Sequence, residues 1–251
     1  MTCADEESCP VYLELASVEA VGNRLFLPGN IHNAASTLYS ILLTSDDGGK
    51  TWREGFERLR GSGLDRVQFF DLEVGWVSGH LLHPLPRDPF LLMTTDGGNT
   101  WRRRPVFGES RGGSIQDFRF ESRTQGNLIV EGGEAGRYER YESPNGGESW
   151  FVREVSEKPL RIRRAGGEIA TGWRIRPHGP SKSYRLEKQQ GTKWEVAASF
   201  SVPIGFCKPP EYKPAEPPAP DEVPEVQTPA TEVPPQPRTP RAKPSLRRPV
   251  K

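Results

Sequence analysis

Thr44-Ser45-Asp46-Asp47-Gly48-Gly49-Lys50-Thr51-Trp52 decides the fold of this chain, because it recurs. Thr94-Thr95-Asp96-Gly97-Gly98-Asn99-Thr100-Trp101 repeats it closely, and Ser143-Pro144-Asn145-Gly146-Gly147-Glu148-Ser149-Trp150 repeats it with Asn for Asp. Gln189-Gln190-Gly191-Thr192-Lys193-Trp194 is a reduced copy. The closing tryptophans at 52, 101, 150 and 194 are spaced by 49, 49 and 44 residues. A fixed period of that size marks a repeat architecture.

Each element of the stretch has a physical reason. The carboxylate of Asp47 or Asp96 can accept hydrogen bonds from backbone N–H groups further along a turn. The second glycine (Gly49, Gly98, Gly147) can take the positive φ that a Cβ penalises. The hydroxyls of Ser45, Thr51, Thr94, Thr100 and Ser143 add local bonds. The tryptophans Trp52, Trp101, Trp150 and Trp194 open the following strand and can bury a large ring. Replacement of Asp by Asn145 and Gln189 predicts looser turns in the third and fourth copies.

Around each turn lie short apolar runs rich in β-branched and aromatic residues, bounded by Gly, Pro and Asp, with no sustained helical period. The first repeat reads as strands Tyr12–Val18, Asn23–Leu27, Leu38–Thr44 and Thr51–Phe56. The second reads as Val67–Leu72, Gly75–Gly79, Phe90–Thr94 and Trp101–Phe107. The third reads as Ser114–Phe120, Asn127–Glu131, Tyr138–Glu142 and Ser149–Val155. The fourth reads as Leu160–Arg164, Ile169–Ile175, Tyr184–Glu187 and Lys193–Phe200. Four antiparallel strands per repeat predict an all-β chain of β-propeller blades, about four of them, over 11–58, 64–107, 114–156 and 160–202. Residues 1–10 form an N-terminal extension.

From 203 the grammar stops. Fifteen of the 25 prolines fall in 203–251, where aromatics are almost absent. Such a composition cannot bury enough surface to fold, so a disordered Pro-rich tail is expected, serving as a spacer or as a tether with a basic end. Acids run from Glu211 to Glu232 and most bases from Arg238 to Lys251.

The composition excludes several classes. In 1–202 the charged residues number 26 basic and 27 acidic, so no field calls for nucleic acid. No apolar run reaches membrane-spanning length, and the start lacks a basic region followed by an apolar one. The compartment stays open; an extracytoplasmic site requires only that the start be trimmed. Cys3, Cys9 and Cys207 do not make a disulfide framework, although Cys3 and Cys9 are close enough in sequence to bridge.

The recurring stretch resembles the Asp-box (BNR) repeat of sialidases and other propellers. Joined to Gly75-Trp76 and Gly172-Trp173, it resembles the photosystem II assembly and stability factor family over residues 11–202. The resemblance implies a propeller, a bacterial-type protein, and a box that is a folding device set away from active sites. It also implies six or seven blades and an export signal, whereas this chain has material for four blades and shows no signal. A small ring, an open arc, or a ring completed by a second copy are all compatible with that. Sialidases carry an Arg triad, a Tyr–Glu pair, an acid Asp and an Arg-Ile-Pro motif ahead of the first box. No such motif precedes Thr44, and Arg174-Ile175-Arg176-Pro177 echoes it only in the fourth repeat. Nucleophile-elbow, zinc-protease and P-loop motifs are absent. Asp46-Asp47-Gly48-Gly49 lacks the acid spacing of a calcium loop.

The sequence therefore points to a non-enzymatic propeller that presents loops to a protein partner, with no cofactor and no metal. A carbohydrate-binding or sialidase-like propeller is the alternative. For either, the candidate ligand face is the one carrying His32, His80, His83 and His178, which fall in or beside the segment joining the second and third strands of a repeat. His80-x-x-His83 has a metal-compatible spacing, but no Cys or acidic cluster completes a ligand set. Arg58, Arg60 and Arg111, in loops between blades, are the candidates for an anionic partner surface.

Overall fold

The structure, a computed structural model, describes residues 10–132, 136–162, 172–179 and 183–201. The expectations for Cys3, Cys9, Cys207, 163–171 and 203–251 lie outside the described residues. The remainder is all-β, built of antiparallel sheets in the manner of propeller blades, with no α-helix among the described residues.

Sheet 1 holds β1 (Tyr12–Leu15), β2 (Glu19–Val21), β3 (Arg24–His32), β4 (Thr37–Ser45) and β5 (Arg53–Phe56) in the order β1-β3-β4-β5. β2 also pairs with β3, so β1 and β2 are two halves of one inner strand. Sheet 2 runs β6 (Ser62–Phe69), β7 (Gly75–Leu82), β8 (Pro86–Thr94) and β9 (Arg102–Pro105). Sheet 3 runs β10 (Ser114–Phe120), β11 (Gly126–Gly132), β12 (Arg137–Ser143) and β13 (Phe151–Ser156). Sheet 4 shows β14 (Trp173–His178), β15 (Ser183–Gln190) and β16 (Lys193–Phe200); Leu160, Arg161 and Ile162 form no strand.

The first three sheets share one register. Leu25 faces Ser45, Gly75 faces Thr94 and Gly126 faces Ser143, so the hydroxyl that opens each turn always lies opposite the start of the second strand. The inner strand of sheet 2 also departs from expectation. β6 begins at Ser62 and ends at Phe69, rather than spanning Val67–Leu72. Asp71 is the reason: its Oδ1 accepts the N–H groups of Glu73 and Val74 at 2.9 and 2.8 Å and turns the chain. Phe70 and Leu72 are left exposed.

Packing joins the sheets in the order 4, 1, 2, 3. One apolar cluster unites Leu186, Trp173 and Phe200 of sheet 4 with Leu15, Leu25 and Leu27 of sheet 1. A second unites Phe26 and Leu42 with Val67, Val77 and Leu92. A third unites Trp76 and Leu91 with Phe118, Phe120 and Leu128. None of the three joins sheet 3 to sheet 4.

One aromatic position carries each junction. Phe26, Trp76 and Asn127 occupy the same place in β3, β7 and β11, each paired with the residue just before the turn hydroxyl. Phe26 lies against Gly98 so closely that a Cβ there would come within 2.4 Å of its ring. Trp76 donates to the carbonyl of Gly146 at 2.9 Å. Trp173 of sheet 4 approaches Gly49 in the same way. Each ring thus sits on the glycine pair of the next sheet's turn, and the series ends at Asn127. The second glycine has φ of 91° at Gly49, 85° at Gly98 and 97° at Gly147, so backbone conformation disfavours a side chain at all three, and at Gly98 space excludes it too.

Candidate functional site

The repeated turn is closed by its own side chains. Asp47 Oδ1 accepts from Lys50 N and Thr51 N at 2.9 Å each and from Ser45 Oγ at 2.8 Å, while Oδ2 accepts from Thr51 Oγ1 at 2.7 Å. Ser45 Oγ in turn accepts from Gly49 N at 2.8 Å. Asp96 repeats the pattern with Thr94 and Thr100, and Gly98 N donates to Thr94 Oγ. The amide and hydroxyl of Thr51 and the hydroxyl of Ser45 hold the Asp47 carboxyl well below the usual carboxylate range. At Asp96 burial pushes upward, but the Thr100 hydroxyl and amide and the Thr94 hydroxyl pull the pKa down to about 2.

The third turn is closed by the same set of side-chain positions, with each bond 0.1–0.2 Å longer than its counterpart in the first. Asn145 Oδ1 accepts from Ser149 N and Ser143 Oγ at 3.0 Å each, and Asn145 Nδ2 donates to Ser149 Oγ at 2.9 Å. The amide reverses one bond: where the carboxylate accepts the threonine hydroxyl, the Asn donates to the serine. In the fourth copy Gln189 Nε2 donates to Gly191 O at 3.2 Å.

The acid beside Asp47 has a different task. Asp46 accepts Arg24 Nε at 2.7 Å and Arg53 Nη2 at 3.2 Å. Arg24 also donates to Gly97 O and to Asn99 Oδ1, so it ties the first turn to the second. Arg123 does likewise between sheets 3 and 2, bridging to Asp71 and Glu73 at 2.7 Å each. Asp46 and Asp47 thus serve the fold.

The histidines are spread over four settings. His32 ends β3, with Nδ1 3.2 Å from Asn33 O and its ring tilted against Tyr12. His80 lies within β7, not in the loop after it. His83 is in the β7–β8 turn, where its N–H donates to Leu85 O. His178 ends β14. His80 has a titratable partner, Asp65 Oδ2 at 3.1 Å from Nδ1. Asp65 sits at a register shift between β6 and β7, and His80 at one between β7 and β8, so two adjoining bulges aim these side chains at each other. Among the described residues, no three His, Cys, Asp or Glu side chains gather around one point as a metal would require.

Side chains that the sequence did not single out stitch the inner strands. Asn30 Oδ1 accepts from Leu64 N at 2.9 Å, joining sheets 1 and 2. Gln68 accepts from Phe120 N at 2.9 Å and donates to Phe120 O at 2.8 Å, joining sheets 2 and 3. Arg66 meets Asp117 at 2.5 Å. Burial pushes the Glu19 pKa up to about 7, opposed by a hydrogen bond from the Phe69 amide and by the charge of Arg66. Alternation along the inner strands could have marked these residues, but the bulge at Asp65 breaks the alternation on which such a reading depends.

Two of the arginines proposed for an anionic partner, Arg58 and Arg111, are held by carboxylates of the fold. Arg58 pairs with Glu54 at 2.6 Å, and Arg60 forms a backbone bridge with Tyr39. Arg111 grips Glu139 with both contacts at 2.7 Å, donates to Tyr141 Oη at 2.8 Å and lies over the Phe107 ring. Arg174 pairs with Glu187 at 2.6 Å and covers Trp194 at 4.1 Å. A shallow cleft of about 340 Å³ beside β13 is lined by Gln125, Glu142, Ser143, Pro144, Phe151 and Arg153. Large apolar side chains left exposed include Leu72 at 69% and Leu85 at 74%.

No protein-family model matches the sequence, and no curated protein matches it. Among solved structures, the chain is similar to YCF48 bound to a D1 peptide, at 19% identity and a TM-score of 0.43, covering 75% of this chain and 54% of that one. It is similar to YCF48 from Cyanidioschyzon merolae at 18% identity and a TM-score of 0.42, covering 81% and 61%. It is similar to the GH74 xyloglucanase from Xanthomonas campestris at 18% identity and a TM-score of 0.39, covering 52% and 18%. The chain therefore spans between half and two thirds of the length of the YCF48 structures.

Proposed function

We propose that this protein is a non-enzymatic β-propeller scaffold that presents turns and loops to a protein partner. One observation carries the reading. The carboxylates and guanidiniums that look chemical in the sequence are taken up by neighbours, as Asp47 is by Ser45, Lys50 and Thr51, whereas large apolar side chains stand exposed on the turns. Leu72 projects from the β6–β7 turn and Leu85 from the β7–β8 turn. Turns held by a rigid sheet are where binding residues concentrate. In this reading the turns centred on Asp47, Asp96 and Asn145 are Asp-boxes that fix the blades, and the Pro-rich segment from 203 is a spacer.

The test uses the full chain as bait against soluble extract, beside Leu72→Arg and Leu85→Arg variants. A partner captured by the unaltered chain and lost with either variant supports the reading. Hydrolysis of a sialoside or another glycoside reporter by the purified chain overturns it.

A further inference from the structure

The outermost strands of the first three sheets are not alike. β5 is Arg53-Glu54-Gly55-Phe56, and β9 is Arg102-Arg103-Arg104-Pro105. Both are four residues long; β9 adds three like charges and a proline, the usual means of blunting a sheet edge. β13 is Phe151-Val152-Arg153-Glu154-Val155-Ser156, and it ends the order β10-β11-β12-β13 with one side unpaired by any described strand. Its Phe151, Val152 and Val155 are each more than half exposed. A long edge carrying exposed apolar residues is a template for another strand.

The order of residues in β13 is self-complementary. Laid antiparallel on itself about a two-fold axis between Arg153 and Glu154, it sets Arg153 against Glu154, Val152 against Val155 and Phe151 against Ser156. The faces agree as well. Val152 and Val155 pair with Tyr141 and Glu139, on the face that packs toward sheet 2. Glu154 pairs with Arg140 and Phe151 with Glu142, on the opposite face, and Arg153 at the register shift reaches Glu142 at 2.7 Å on that same face. β9 laid on itself would set arginine against arginine, which is repulsive.

We propose that β13 is a dimerisation edge. A second copy adds its own β13 antiparallel, so that two four-stranded sheets become one continuous sheet with isologous contacts. Opposite-charge and β-branched cross-strand pairs are the units that stabilise such an addition. Six residues per copy make a small interface, so the dimer dissociates on dilution. This assignment is independent of the scaffold reading.

The experiment is sedimentation equilibrium of the full chain over a wide concentration range. The unaltered chain is expected to move from monomer to dimer. Arg153→Glu sets like charges opposite each other and should weaken dimerisation at least tenfold; Glu154→Arg should do the same. The double variant Arg153→Glu, Glu154→Arg restores opposite charges across the axis and should recover the dimer. Unfolding midpoints within error of one another establish that every variant is folded. A monomer at all concentrations overturns the proposal. So does a dimer indifferent to the single changes, and so does a dimer lost in the double variant as in the single ones.

Discussion

The indole of Trp76 lies flat on the ring of Phe120, with centroids 3.7 Å apart and planes 3° from parallel. The same indole donates to Gly146 O, so one side chain of sheet 2 binds both the inner strand and the turn of sheet 3. Trp76 is fully buried. Trp76→Ala should therefore destabilise the protein by about 3–5 kcal/mol. Trp76→Phe keeps a ring on Phe120 but loses the bond to Gly146 and part of the indole's volume, costing about 1–3 kcal/mol. Urea unfolding followed by far-UV circular dichroism separates the two. Equal losses would mean that the stack contributes little.

Gln68 performs the polar counterpart of that junction, holding both the N–H and the C=O of Phe120. Gln68→Leu fills similar space but leaves those bonds unmade. It should cost about 1–3 kcal/mol, and amide exchange at Phe120 should quicken. Unchanged exchange at Phe120 would show that the clamp is not what protects it.

The turns make an opposite kind of prediction, because one natural copy already uses an amide. Asp96→Asn should be tolerated, as Asn145 closes the third turn by reversing a single bond. Asp96→Ala loses the ties to Thr94 and Thr100 together and should cost about 1–2 kcal/mol, a value reduced by exposure to solvent. Thermal melts of the two variants beside the unaltered chain decide the ranking.

The period, the strand type and the turn chemistry were all legible in the sequence, because each is local. The bonds that Asp47 makes in the turn from Thr44 to Trp52 come from residues within the turn, which a local reading can reach. What could not be read are relations between distant residues. Phe26 and Trp76 differ in kind and Asn127 is polar, so nothing in the sequence aligns them as one position. The packing order 4, 1, 2, 3 is equally hidden, since a repeat period predicts only that neighbours in sequence are neighbours in space. β6 was misplaced because Phe70 and Leu72 are apolar, while Ser62 and Gly63 look like a loop. His80 was placed in a loop because Gly79 interrupts the run, yet β7 continues through it to Leu82.

Acid and alkaline limits of stability should have separate origins. Asp47 and Asp96 have lowered pKa values in the fold, so their contribution is fully present above the unfolded value near 3.8 and is lost as pH falls through the folded one, about 2 for Asp96. Glu19 is the reverse. Its folded pKa is raised to about 7 from 4.5, so the folded state binds the proton more tightly. Below 4.5 both states are protonated and nothing is lost. As pH rises from 4.5 to about 7 the unfolded state ionises while the fold still holds the proton, so stability falls, and above 7 the loss levels off. Glu19→Gln removes that titration. It should leave stability near pH 4 almost unchanged and raise it near pH 8, by an amount on the order of 1–2 kcal/mol. Melts at intervals between pH 4 and 9 supply the comparison. A Gln variant that follows the unaltered chain across the whole range would mean that Glu19 stays ionised in the fold, with Arg66 and the Phe69 amide outweighing its burial.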